Sequence, residues 1–427
     1  MTESLPLWVH VFRVLLVFLF FLLTTAVLIW AERRVVSLMQ TRVGPNRVGP
    51  LGAGQTLMDG LKMFFKEDVT PRMVSKVLFT IAPIMTVIVG FLAVGIIPLG
   101  GEVTMFGETF TLQAADLNVG VLWFLAMGSL HVYGVVLAGW ASHSPYPLMG
   151  GVRSSAQMIS YEIAQGLAVA SVFIYTGSLS VSDIIAGQGA EGLVAGMPNW
   201  YVVPLFPAFV VFLVGMVAEA GRPPFDLPEA EGELVAGFLT EYSGLRFGMF
   251  MLAEFMNVVT MSAIMVTLFF GGPLGPTFGL QNIDGWVGTL LPGLLGLVWF
   301  FLKMAVFIFL FILLRGALPR MKYDKLLVLG WKVMIPLGLV WAVATGMVVV
   351  ARDELGSAGG WVAGGITLLF TALVLVTVNR VMVNAQRPAG LSAADADRLS
   401  PDMATSVSTV EPVATPLDEP APEEVEV

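Results

Sequence analysis

The residues from Ala218 to Tyr242, AEAGRPPFDLPEAEGELVAGFLTEY, hold six carboxylates (Glu219, Asp226, Glu229, Glu231, Glu233, Glu241) against one base, Arg222. Pro223, Pro224 and Pro228 break any continuous helix, and Asp226 or a neighbour can cap a short helix from about 228. On that helix Glu229 and Glu233 stand at i, i+4, Glu231 points elsewhere, and Glu233 shares a face with Gly237, whose lack of a side chain permits close approach. Carboxylates so spaced repel one another unless protons or cations compensate. The chemistry such a cluster offers is proton handling; the plain alternative is a solvated acidic loop.

Three more ionisable groups sit inside apolar runs. Glu162 lies near the start of one in SSAQMISYEIAQGLAVASVF, Glu254 inside another in FMLAEFMNVVTM, and Lys303 well inside a third, while Glu219 ends the run before the acidic stretch. Charges at membrane depth are costly unless they face a polar interior, and they are functional candidates by default. Burial favours the protonated carboxyl, so such acids can carry protons near neutral pH. Structural pairing, for example of Lys303 with a carboxylate, is the simpler alternative. Three glutamates and a lysine together point to a proton path.

The elements that position these groups follow from composition. Of 427 residues 56% are hydrophobic and 12% charged, about half the charged share of a soluble domain. Apolar runs at roughly 9–31, 74–98, 118–141, 154–176, 200–218, 247–270, 287–314, 330–351 and 361–383 are each about long enough to span a bilayer as a helix. Continuous apolar runs favour helices over the alternating pattern of a barrel. The expected fold is an all-α polytopic membrane protein of about nine transmembrane helices. The first run lacks a basic n-region and a small-residue cleavage site, so it is not read as a signal peptide.

Nineteen of the 22 basic residues fall on one side of this arrangement; Arg13, Lys303 and Arg352 are the exceptions. That side is expected to be cytoplasmic, with the N-terminus outside and the tail inside. The membrane domain is expected to run from 1 to 388, with cytoplasmic loops at 32–73, 142–153, 219–246 and 315–332. An acidic, disordered tail should follow at 389–427. From Asp395 onward there are nine acids and one base, Arg398, so most of the net charge of −9 belongs to the tail.

Within the first loop, QTRVGPNRVGPLG at 40–52 reads as an ordered turn. Residues 53–67 then form an amphipathic helix, with Gln55, Asp59, Lys62 and Lys66 on one face and Leu57, Leu61, Phe64 and Phe65 on another. It is short for a span and suits the interface, either as an anchor or with its polar face lining a cavity. Glu32, Arg33 and Arg34 close the first span; the arginines suit a helix end facing the cytoplasm, and the acid has no such purpose. There is no cysteine, which excludes disulfides and thiolate-ligated metals or iron–sulfur clusters in this chain. His10, His131 and His143 are too few and scattered for haem or a metal cluster, so no resident redox cofactor is expected.

Four stretches carry a resemblance: AERR with QTRVGPNRVGPLGAGQTLMDGLKMFFKE, then SSAQMISYE, then PPFDLPEAEGELVAGFLTEYSG, then LRGALPRMKYDKLLVLGWKVMIP. In order and placement they resemble the quinone-site membrane subunits of respiratory complex I, the proton-translocating NADH:quinone oxidoreductase, over about residues 9–351. The ninth span and the tail exceed the eight-span core usual in that family. Gly60 stands where Ala is usual. The resemblance implies tilted helices, a quinone (ubiquinone or menaquinone) as substrate, and a bacterial cell-membrane location. It also implies partners: peripheral iron–sulfur and quinone-site subunits, small and antiporter-like membrane subunits, and the bilayer, with no nucleic acid. Quinone-binding roles fall by motif on Glu32, Arg33, Arg42, Gln55, Asp59, Lys62, Phe225 and Glu233. Proton-transfer roles fall on Asp226, Glu229, Glu231, Glu219, Glu162 and Glu254, with Glu229, Glu219, Glu162, Glu254 as the expected order of transfer.

Two other functions compete. A stand-alone cation–proton antiporter would use intramembrane Glu and Lys, but the internal repeat common in such transporters is absent. The membrane subunit of an energy-converting hydrogenase is closer, although such relatives usually have a weaker version of the intact QTRVGPNRVG loop. A purely structural anchor has no use for six clustered carboxylates.

Overall fold

A computed structural model describes residues 6–105, 108–190, 198–226, 231–276 and 286–355, together with 364–367, 369–370, 372–373 and 376. Among these, seven helices are long and apolar enough to cross a membrane. They are α1 (Leu7–Met39), α3 (Lys76–Val94), α4 (Gly120–Ala141), α5 (Pro145–Thr176), α9 (Gly244–Phe269), α10 (Trp286–Ala317) and a composite of α11 (Tyr323–Val328), a π-helical turn at Leu329–Met334 and α12 (Ile335–Leu355). An eighth apolar helix, α7 (Phe206–Glu219), is shorter. The all-α polytopic membrane fold expected from the apolar runs is therefore what the chain adopts.

The differences have local causes. α1 is 33 residues long, about 50 Å, well beyond the ~30 Å hydrocarbon core. Glu32, Arg33 and Arg34 therefore ride inside the helix rather than closing it. α5 starts at Pro145, so most of the loop expected at 142–153 is helical; proline is tolerated in a first helical turn. α7 has only 14 residues, and the segment before it is irregular. Gln188 satisfies that backbone: its side chain donates to Thr267 O (3.1 Å) and Leu268 O (3.2 Å) and accepts from Tyr201 N (3.2 Å). Between α3 and α4, Glu102–Met105 (β1) pairs antiparallel with Glu108–Thr111 (β2), a hairpin the apolar periodicity did not announce. Most of the expected ninth span and all of the tail lie outside the described residues; within that span Phe370 packs on Trp341 with ring centroids 5.3 Å apart.

Close helix approach depends on small residues, as lipid-embedded packing requires. A Cβ on Gly134 of α4 would lie 2.3 Å from Thr86 of α3, and one on Gly150 of α5 would lie 2.7 Å from the Gly237 backbone. The acidic stretch forms only one short helix, α8 (Glu231–Leu234). Val235 (φ 67°) and Gly237 (φ 53°) then turn the chain, so Glu233 and Gly237 do not share a helix face. The close approach expected at Gly237 is nevertheless present.

The amphipathic helix is α2 (Gln55–Phe65). Its apolar side is bare, with Leu57 70% and Phe65 87% exposed, as an interfacial helix requires. Its polar side faces α1, where Thr56 Oγ1 donates to Ala26 O at 3.3 Å. A Cβ on Gly60 would meet nothing within 4 Å. Gly60→Ala should therefore stabilise α2 by about 0.5–1 kcal/mol. Slower hydrogen exchange across 55–65 is the expected readout, and unchanged exchange would contradict it.

Candidate functional site

Most of the candidate residues form two clusters, separated because Glu32 and Arg33 are consecutive on α1 and project in different directions. Arg33 turns towards α2 and pairs with Asp59. Asp59 also accepts from Gln55 Nε2 at 3.0 Å and lies 3.9 Å from Lys62. Four of the expected quinone-binding residues are thus one polar group on the α1–α2 face. Arg42 stands exposed in the turn after α1, which is fixed by its backbone N–H donating to Ser37 O at 2.9 Å.

Glu32 turns into the bundle. It pairs with Arg315 at the end of α10 and lies 3.9 Å from Arg222, and Arg222 reaches Glu254 on α9 at 3.2 Å. The Arg222 guanidinium also sits 4.5 Å over the Phe255 ring. Arg222 is only 6% exposed, so two cations and two carboxylates compensate one another where water is scarce. In the sequence Arg222 is only the lone base of the acidic stretch, and Arg315 only one of a basic loop. No spacing there marks their shared partner.

Gln157 on α5 holds the chain beside Arg222, donating through Nε2 to Ala218 O (2.6 Å) and Phe225 O (2.8 Å). Phe225 is 5% exposed and packs on Tyr161, ring centroids 5.4 Å apart. Asp226, next to Phe225, is half-buried. Glu229 lies outside the described residues. The backbone of Glu231 opens α8, but its side chain is also outside them.

Glu219, 7% exposed at the end of α7, lies between the other two membrane-depth acids. On one side it shares a cavity of about 40 Å³ with Glu254, His131 and Asn257, room for about three waters at 10–15 Å³ each. On the other side, a Cβ on Gly128 of α4 would lie 3.4 Å from Glu219 Oε1 and 3.6 Å from Glu162 Oε1. Glu162 accepts from Ser129 Oγ. The spatial sequence is Arg222, Glu254, Glu219, Glu162, which differs from the order expected along the chain. Ser129 and His131 join the site from α4, which carried no motif, and Asn257 joins it from α9, one turn after Glu254.

Lys303 does not belong to this group. Its Nζ donates to the carbonyls of Phe270 (2.7 Å), Gly272 (3.0 Å) and Leu274, with Trp200 5.4 Å away. It caps the C-terminus of α9, where a cation is favoured. Among the described residues it pairs with carbonyls and with no carboxylate.

Glu233 is half-exposed and accepts from Arg153 Nη1 and Arg320 Nη2, both at 2.7 Å, tying α8 to α5 and to the segment after α10. The Arg153 hydrogen bond foremost, with the charge of Arg320, holds its carboxyl below the ordinary 4.5. A depressed acid contributes stability that is intact above its ordinary value and lost as pH falls through the lower one. The clamp should therefore hold throughout the neutral range and open only below about pH 4.5. Glu233→Gln should speed hydrogen exchange of 231–234 at pH 7 and abolish its acid dependence; unchanged exchange would refute the clamp.

Removing one member of a buried ion pair costs about 3–5 kcal/mol, mostly by stranding the other charge. Arg222→Met should therefore lower the thermal stability of the assembly, and adding Glu254→Gln should recover a large part of the loss. A double variant no better than the single one would show that Glu254 is not the partner that matters.

Comparison with known proteins gives a consistent result. The family model described as NADH dehydrogenase matches residues 12–346. A curated relative from Frankia casuarinae, named as a subunit of NADH-quinone oxidoreductase, is 49% identical over 86% of this chain and 80% of its own length. A second of the same name from Frankia alni is 47% identical over 88% and 80%.

Proposed function

We propose that this chain, which belongs to the NADH dehydrogenase family, is a membrane subunit of a proton-translocating NADH:quinone oxidoreductase. It forms part of the quinone-binding chamber and passes protons from that chamber into the membrane. The observation that carries the reading is the continuous polar series from Glu32 through Arg222, Glu254 and Glu219 to Glu162, built across helices that are otherwise apolar. A quinone has a long apolar tail and a polar head. The bare apolar face of α2 suits the tail, and the polar group of Arg33, Gln55, Asp59 and Lys62 suits the entrance for the head.

Quinone reduction brings two electrons and needs two protons. The electrons come from partners, since this chain has no cysteine to hold an iron–sulfur cluster. Peripheral subunits with such a cluster would meet the basic loops on the cytoplasmic face, and other membrane subunits would continue the polar series in a bacterial cell membrane. Negative charge arriving in the chamber competes with Glu32 and Glu254 for Arg222 and Arg315. Glu254 released from Arg222 is then free to take up a proton. Water in the shared cavity then links it to Glu219, and Glu219 to Glu162 across Gly128. Asp226, on the turn that follows Arg222, stands on the chamber side of that series.

Glu219→Gln should leave NADH oxidation by an artificial acceptor intact and slow proton-coupled quinone reduction about a hundredfold, the lower end of the range for losing one acid–base group. Gly128→Ala, whose methyl meets only van der Waals contacts, should be tolerated, whereas Gly128→Val should mimic Glu219→Gln. Full pumping stoichiometry in a normally assembled Glu219→Gln complex would overturn the proposed path. A hydrogen-evolving complex around this chain would favour the hydrogenase reading.

A further inference from the structure

At the end of the bundle away from the basic loops, a cavity of about 450 Å³ is lined by Tyr175 and Thr176 of α5, Ser178, Asp183, Tyr201 and Arg352 of α12. That volume lies in the range of small-molecule sites, and the series of carboxylates does not use it. Arg352 is one of the three basic residues outside the basic loops. The other two are engaged: Arg13 with His10 at 2.8 Å, and Lys303 with its carbonyls. Arg352 donates through Nη1 to the Tyr175 hydroxyl at 3.1 Å, and among the described residues it forms no ion pair. A guanidinium has five donors, so most of its capacity is directed elsewhere.

The rest of the lining defines a partner. The Tyr175 and Tyr201 rings meet edge to face, 5.1 Å apart. The Tyr201 hydroxyl lies so near Gly187 that a Cβ there would come within 2.3 Å of it. Asp183 accepts from Ser178 Oγ at 2.6 Å, which leaves a carboxylate further acceptor positions. Among the described residues the cavity thus presents one cation, one anion and hydroxyls beside aromatic rings, at the ends of two membrane-spanning helices. Tyrosine and arginine at a helix end mark the level of lipid headgroups. Beside Arg352, α12 exposes Val343 (58%), Met347 (57%) and Val350 (61%) as an apolar stripe leading into the membrane.

The geometry points to a binding site for the headgroup of a zwitterionic amino-phospholipid, its phosphodiester on Arg352, its ammonium towards Asp183 and its acyl chains along Val343, Met347 and Val350. Both charges of the cavity are used by such a headgroup, while a free phosphate would use one and meet Asp183 as a like charge. The site is independent of the quinone reading.

The test uses the assembled complex in nanodiscs containing phosphatidylethanolamine that carries a photoreactive acyl chain. Label on peptides covering 340–352 should fall about tenfold in Arg352→Gln, the scale of one lost charge-assisted hydrogen bond. Arg352→Lys should retain part of it. Asp183→Asn should weaken labelling by photoreactive phosphatidylethanolamine and leave labelling by photoreactive phosphatidylglycerol unchanged or stronger. Inorganic phosphate at millimolar concentration should not compete, and NADH oxidation should be the same in all variants. Equal labelling of wild type and Arg352→Gln would overturn the proposal. So would protection by inorganic phosphate, which would mean a free-anion site, or absence of label in the wild type, which would mean another subunit covers the cavity.

Discussion

The buried guanidinium of Arg222 is the constraint on which the site depends. A charge 6% exposed is tolerable only with partners close by, because desolvation otherwise outweighs any local gain. Its partners, Glu32 and Glu254, come from α1 and α9, distant in sequence. Satisfying one side chain therefore fixes how two spanning helices meet the turn after α7. Gln157 fixes the other side of that turn through two backbone carbonyls. Glu219, three residues before Arg222, inherits its position from both.

Charged groups inside this bundle are satisfied in two different ways, and the difference separates packing from chemistry. Lys303 is bound to carbonyls that cannot move a proton or change charge, so it stabilises a helix end. Glu254 and Glu219 face a small cavity with His131 and Asn257, groups that can all exchange hydrogen bonds with water. The same composition signal, a charge in an apolar run, announced both. Only the neighbours distinguish them.

That contrast also describes what the sequence could carry. Apolar runs longer than a bilayer is thick gave the spans, because hydropathy is a property of each segment by itself. The amphipathic helix was legible for the same reason: Gln55, Asp59 and Lys62 fall on one face by local spacing, and they meet as one polar group. The helical start of α5 was hidden by SPYPLMGG, whose prolines and glycines imitate a loop. There the prolines occupy the first turn, and Gly150 serves contact with Gly237 rather than a bend. The pairing of Arg315 with Glu32 and of Arg222 with Glu254 was not legible, since it depends on which helices are neighbours.

Helix neighbours also explain why the acids run in space as they do. α7 packs against both α5 and α9, and α9 packs against α1. An acid at the end of α7 must then lie between one on α5 and one on α9, whatever their order along the chain. Glu254 stands nearest Arg222 because its helix packs on α1, which brings Glu32. Glu162 stands farthest because α5 is packed on the opposite flank, against α4, where Gly128 leaves the space its carboxylate and that of Glu219 share. A bulky residue at Gly128 would leave every charge in place and still close that space, so the continuity of the series rests on a missing side chain as much as on the acids themselves.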